Sequence, residues 1–209
     1  MNNHRKIPPE VVVFDLGKVL VDFDYGIAAG KIASRGRLSA DEVQRFIDHS
    51  PLLFRFETGQ INQEQFYREV CAATGFSGPI EEFGGFFADI FTPIEAMVEL
   101  HAKLRARGVP TFILSNTNDL AVGHIRRNFP FFANFTGYVF SYEHGVMKPD
   151  PRLYQVVERM AGVVGEKILF LDDRVENVAA AAALGWQVIQ HQNPGETLAA
   201  LKQMDLKFF

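Results

Sequence analysis

Three unbroken apolar runs punctuate the chain, and each closes on a polar residue: VVVFD at residues 11–15, PTFILS at 110–115 and KILFLD at 167–172. None alternates with polar positions, which is the pattern of parallel strands buried on both faces. YVFS at 138–141 and WQVIQ at 186–190 supply two further strands. Helical periodicity fills the intervals. PIEAMVELHAKLRARG follows Thr92 and contains Glu95, so Thr92, Pro93 and Glu95 read as a capping box with proline in the first turn, and Gly108 stops the helix. DPRLYQVVERMAG opens on Asp150 and Pro151, and NPGETLAALKQM opens on Asn193 and Pro194.

Residues 25–91 break this alternation. They offer no convincing strand, whereas SADEVQRFIDHS carries a capping box at Ser39 and Glu42, and NQEQFYREVCAATG and PIEEFGGFFADIF continue the helical pattern. The expected fold is therefore α/β, a doubly wound parallel sheet of Rossmann-like type, with a helical insertion after the first strand. The boundaries place residues 1–24 and 92–209 in the core and 25–91 in the insertion. There is no internal repeat or low-complexity segment.

In such sheets ligands bind at the carboxyl ends of the strands. Asp15 ends the first strand, Ser115 and Asn116 the second, and Asp172 and Asp173 a later one, while Lys148 follows YVFS in GVMKPD. A carboxylate can attack phosphorus and divide a hard hydrolysis into two easier steps. Hard oxygen ligands such as Asp15 and Asp172 suit Mg²⁺. Lys148 adds positive charge, and the Ser115 hydroxyl with nearby backbone N–H groups can hold phosphoryl oxygens. Singly, each residue has a plainer reading: a turn or cap aspartate, a capping serine, a surface lysine.

Composition narrows the partners. The formal net charge of −4 and the lack of a long basic block disfavour nucleic acid and anionic membrane, so HRK at 4–6 and RR at 126–127 read as solvated surface. The single cysteine, Cys71, excludes an internal disulfide and a Cys-based zinc site, and reads as a small core residue. MNNHRKIPPE lacks the apolar segment of a signal peptide, and no apolar run is long enough to span a bilayer, so a cytoplasmic location is expected. His101 and His124 lie in helical patterns as surface or boundary residues. The Phe-rich stretches FGGFFADIF and NFPFFANF read as packing, with Phe54 and Phe86 candidates for a pocket mouth.

VVVFDLGKVLVD, FILSNTN, MKP and FLDDRVEN resemble, in order and placement, the four motifs of the haloacid dehalogenase-like hydrolase superfamily. The helical insertion resembles that superfamily's first type of cap. FETGQINQEQFYREVC sharpens a likeness to the bacterial α-D-glucose-1-phosphate phosphatases, and the chain also resembles the phosphatase domain of epoxide hydrolases. The resemblance implies Asp15 as nucleophile and metal ligand, with Mg²⁺ also held by the Gly17 carbonyl, Asp172 and, directly or through water, Asp173. It implies Ser115, Asn116 and Lys148 against the phosphate of a small ester, with Asn177 bracing the acidic loop.

Gly17 departs from the superfamily's pattern, which has a second aspartate two residues after the nucleophile as general acid and base. Losing such a group typically costs about 10² to 10⁴ in rate. A sugar 1-phosphate tolerates that loss, because its anomeric leaving group is more acidic than an ordinary alcohol. An acid supplied from elsewhere would also serve, with Asp24, Glu57 and His144 as candidates. The expected function is a Mg²⁺-dependent phosphatase of a sugar phosphate such as glucose 1-phosphate. The competing readings are 2-haloacid dehalogenase, a mutase, and a non-catalytic binding protein.

Overall fold

The computed structural model describes residues 7–204, apart from the side chains of residues 48 and 49. The HRK group at 4–6 lies outside the described residues. In chain order the strands are β1 (Val11–Phe14), β2 (Val21–Phe23), β3 (Phe91–Pro93), β4 (Thr111–Ser115), β5 (Gly137–Phe140), β6 (Ile168–Asp172) and β7 (Gln187–Gln190). The helices are α1 (Tyr25–Ala33), α2 (Ala40–His49), α3 (Pro51–Glu57), α4 (Gln63–Thr74), α5 (Ile80–Ala88), α6 (Glu95–Ala106), α7 (Asp119–Asn128), α8 (Ser141–His144), α9 (Pro151–Ala161), α10 (Val175–Ala183) and α11 (Pro194–Gln203).

Five strands pair in parallel in the order β5-β4-β1-β6-β7. The first strand is thus central, and the chain builds outward on one side through β4 and then on the other through β6. A crevice opens at that switch point, beyond the carboxyl end of β1. Successive Cβ atoms point to opposite faces. Val12 and Phe14 pack with Met97, Leu100 and Ile125 on one face, while Val11 and Val13 pack with Leu153, Tyr154 and Val157 on the other. Both faces are covered, so all four residues of β1 are buried and the strand carries no polar alternation.

Helices α1 to α5 lie between β2 and β3 and have their own apolar cluster, in which Phe56 stacks on Phe66 at 4.4 Å and Phe83 and Phe87 complete the interior. Cys71 is half-buried against it. β2 and β3 form an antiparallel ribbon, with Phe23 opposite Phe91, through which the chain enters and leaves the helical segment. This ribbon brackets residues 25–91, where no strand was expected, and enters them only at Phe91. It also moves the start of α6: Thr92 and Pro93 belong to β3, and Ile94, the N-cap, makes no side-chain capping bond. The capping boxes at Ser39 with Glu42 and at Asn62 with Gln65 are formed. Among the described residues, no helix is long and apolar enough to cross a membrane.

His101 is not a surface residue. It is 2% exposed, stacked on Phe135 at 3.8 Å and bonded through Nε2 to Thr111 Oγ1 at 3.1 Å. Burial lowers its pKa to about 4.

Candidate active site

The register of the central strands sets the site. Phe14 pairs with Leu171, and the Asp15 amide donates to the Leu171 carbonyl at 2.8 Å, so Asp15 and Asp172 leave the sheet side by side. Ser115 ends β4 on the opposite flank of β1. Lys148 reaches the same point from the loop after α8. Its ammonium pairs with Asp15 Oδ1 at 2.8 Å and Asp172 Oδ2 at 2.6 Å, and donates to the Leu114 carbonyl at 2.9 Å.

Asn116 holds that lysine in register. Its Oδ1 accepts from the Lys148 amide at 2.7 Å, and its Nδ2 donates to the Lys148 carbonyl at 3.0 Å. Both ends of the amide are therefore committed to Lys148. Asn177 does the same for the acidic side, donating to Asp172 Oδ1 at 3.0 Å and Oδ2 at 3.1 Å, while the Arg174 amide donates to Oδ1 at 2.8 Å. Asp172 is fully buried yet well provided with donors, as a buried carboxylate must be.

Asp15, Asp172 and Asp173 each offer a carboxylate oxygen, and these oxygens lie within 4.8 Å of one another. Burial, opposed by Lys148 and reinforced by the other two carboxylates, raises the pKa of Asp15 above the usual carboxylate range. Asp173 shifts upward through burial and the charge of Asp172. Burial works against the Lys148 charge, but Asp15 and Asp172 outweigh it and hold its pKa above the ordinary value. Three carboxylates against one ammonium leave excess negative charge around hard oxygen donors, which fits a small divalent cation.

A cavity of about 470 Å³ opens above these groups, within the range of small-molecule sites. Asp15, Gly17, Ser115, Asn116, Lys148 and Asp173 all line it. The Ser115 hydroxyl makes one long bond, to the Asn116 carbonyl at 3.4 Å, and α7 is capped by Asn118 rather than by Ser115. Asp172 lies beneath, behind Lys148. Phe54 and Phe86 are not among the lining residues; Phe23, Tyr25, Leu53 and Phe91 form the apolar wall instead.

Glu57, the last residue of α3, also lines the cavity. Burial pushes its carboxyl up to about 7, with Asp15 adding to the rise and Arg174 opposing it. Asp24 is instead exposed and caps α1 through the Gly26 amide, and His144 is exposed and outside the cavity lining.

Residues 9–185 match the sequence profile described as haloacid dehalogenase-like hydrolase. Acyl-CoA dehydrogenase family member 10 of Mus musculus is 28% identical over 206 residues, covering 92% of this chain; the chain spans only 19% of that relative's length. The D-ribitol-5-phosphate phosphatase of Bacteroides thetaiotaomicron is 22% identical over 188 residues, covering 87% of this chain and 91% of its own. An (S)-2-haloacid dehalogenase of Pseudomonas putida is 25% identical over 207 residues, covering 94% and 88%. Among solved structures, a HAD-family enzyme of Bacteroides thetaiotaomicron, in complex with magnesium and inorganic phosphate, shares the fold with a TM-score of 0.80 at 23% identity, covering 92% of this chain and 98% of that one. The profile match runs over most of the chain, and the protein belongs to the haloacid dehalogenase-like hydrolases.

Proposed function

We propose that this hydrolase is a Mg²⁺-dependent phosphatase that cleaves a small phosphate monoester through a phosphoryl group held on Asp15. A sugar phosphate such as glucose 1-phosphate is the leading substrate. The observation that carries the reading is the floor of the cavity, where one buried ammonium is seated between Asp15 and Asp172 with Asp173 beside them.

A carboxylate that attacks a phosphate ester needs positive charge around the transferring group. Lys148 supplies one such charge and fixes the Asp15 oxygen. Asp15, Asp172 and Asp173, with the Gly17 carbonyl, would hold Mg²⁺. When bound, the ion polarises the phosphoryl group and offsets its charge. The Asp15 oxygen bonds to phosphorus as the ester P–O bond breaks, and the leaving oxygen takes the electron pair and is protonated by an acid or water in the cavity. Water then attacks the same phosphorus, the bond to Asp15 breaks, and the carboxylate is restored. Ser115 donates to a phosphoryl oxygen; Asn116 lines the same wall and clasps Lys148. Residues 25–91 act as the cap over a core of residues 1–24 and 92–209, since Tyr25, Leu53 and Glu57 enter the cavity from that segment.

The phosphatase relative supports this reading at the level of phosphate esters. The dehalogenase relative and the apolar wall favour a second one, attack by Asp15 on the carbon of a 2-haloacid. That chemistry needs no cation, and the acidic triad argues against it. A panel of glucose 1-phosphate, an alditol phosphate, a nitrophenyl ester and 2-chloropropionate, run with Mg²⁺ and with EDTA, tests both. The proposal expects Mg²⁺-dependent phosphate release that Asp15→Asn abolishes. Halide release insensitive to EDTA, without phosphate release, would replace it with the second reading. Mg²⁺ binding without turnover of any arm would favour a binding protein.

A further inference from the structure

Position 17 cannot carry an acid without displacing its neighbour. A Cβ there would stand 2.8 Å from Phe23 Cε1, and the Phe23 ring packs against Tyr25 and Phe91 with centroids at 5.4 and 6.0 Å. The cavity still needs one group that gives a proton to the leaving oxygen and later takes one from water. Asp15, Lys148 and Asp173 are committed to the charged floor. Asp24 and His144 stay outside. Glu57 is the remaining carboxyl that faces the cavity among the described residues.

Its backbone is firmly held. Phe56 and Thr58 on either side of it are buried. Thr58 Oγ1 donates to the Phe54 carbonyl at 2.8 Å, and Gln60 Nε2 donates to Thr58 Oγ1 at 2.9 Å. Gly59 closes the turn with φ of 66°, and any Cβ there would lie 2.3 Å from the Tyr142 carbonyl oxygen. The turn after Glu57 is thus pressed against α8 of the core, which keeps the side chain at the cavity although it belongs to the helical segment. Such support from packed neighbours is what a proton-transfer group requires.

We propose that Glu57 is the general acid and base of this site, acting from the helical segment in place of the side chain that residue 17 lacks. The inference rests on the phosphoryl-transfer reading above. In the first step the Asp15 oxygen bonds to phosphorus, the ester P–O bond breaks, and the Glu57 carboxyl passes its proton to the departing oxygen, leaving a free alcohol and a Glu57 carboxylate. In the second, that carboxylate removes a proton from water as the water oxygen bonds to phosphorus. The P–O bond to Asp15 then breaks, and phosphate departs with Glu57 protonated again. The upward shift of the Glu57 carboxyl supplies the protonated form near neutrality. The charged groups that face it across the cavity are Asp15 from the end of β1, Lys18 from the following loop, Lys148 after α8, and Asp173 and Arg174 after β6.

The test compares Glu57→Gln, Glu57→Asp and wild type on a nitrophenyl phosphate and on an unactivated alditol or sugar phosphate. With the activated ester, Glu57→Gln is expected to release one equivalent of nitrophenolate in a burst, because that leaving group departs without a proton. Turnover then slows by about 10² to 10⁴ while enzyme phosphorylated on Asp15 accumulates. With the unactivated ester the burst is lost, and Glu57→Asp regains part of the rate. The burst itself reports a folded, charged site. Turnover of both esters within about threefold of wild type would overturn the proposal, as would a proportional loss on both without a burst. Those results leave the phosphatase reading standing. Wild type that shows no Asp15-dependent release would overturn both.

Discussion

Lys148→Met tests the arrangement at the cavity floor. Lys148 and Asp172 are 4% and 0% exposed, and Asp15 is 7% exposed, so removing the ammonium leaves two carboxylates without their shared counter-charge. Breaking a buried ion pair from one side costs about 3–5 kcal/mol, because the remaining charge stays desolvated. For a domain of this size that corresponds to a fall in Tm of about 6–20 °C. Asp172→Asn in the same chain removes one stranded charge and leaves an oxygen for the Arg174 amide, which donates to Asp172 Oδ1 at 2.8 Å. The double variant should therefore be more stable than the sum of the single losses implies, with a coupling of at least ~1 kcal/mol. Thermal and urea unfolding in EDTA, read by circular dichroism, measure both quantities. Added Mg²⁺ should raise the Tm of Lys148→Met more than that of wild type, since a cation in the acidic triad replaces the missing charge. A Lys148→Met protein within about 1 kcal/mol of wild type, or additive losses in the double variant, would refute the reasoning.

Further outcomes follow from other contacts. Gly17→Asp should cost about 1–3 kcal/mol by overpacking against Phe23, and Phe23→Ala in the same chain should recover part of it; urea midpoints of the two singles and the double check this. His101 gives the protein an acid-sensitive limb. Its folded pKa of about 4 lies below the ordinary 6.5, so its contribution is intact above about 6.5 and is lost as the pH falls toward 4. The loss amounts to at most ~3 kcal/mol, because each pKa unit is worth 1.36 kcal/mol. His101→Gln should flatten the pH dependence of urea stability across that window, and an unchanged slope would count against the assignment.

What the sequence made legible, and what it hid, has a physical pattern. β1, β4 and β6 are buried on both faces, so their apolar runs stand out in a single sequence, and a strand end is where a polar residue stops such a run. Asp15, Ser115 and Asp172 were visible for that reason. Lys148 was visible only through Pro149 beside it and its place in the motif order; its seat between two carboxylates depends on the Asn116 clasp, which no spacing announces. β2 and β3 are three residues each, too short for a period, and Thr92 and Pro93 suit a helix start as well as an edge strand. His101 looked solvent-facing because its partners, Phe135 and Thr111, come from elsewhere in the chain. Glu57 was one of three candidate acids, and only its place on the cavity wall, with the turn after it packed against α8, separates it from Asp24 and His144. Fold and motif residues are local signals; burial of single polar groups is a tertiary one.

The central claim is that Asp15 carries the phosphoryl group. The most direct measurement is an acid quench during turnover of a phosphate ester with Mg²⁺, followed by peptide mapping by mass spectrometry. The account predicts phosphate on the peptide containing Asp15, labile to hydroxylamine and absent from Asp15→Asn. Steady phosphate release with no protein-bound phosphate, in wild type and in the slowed Glu57→Gln variant alike, would contradict it.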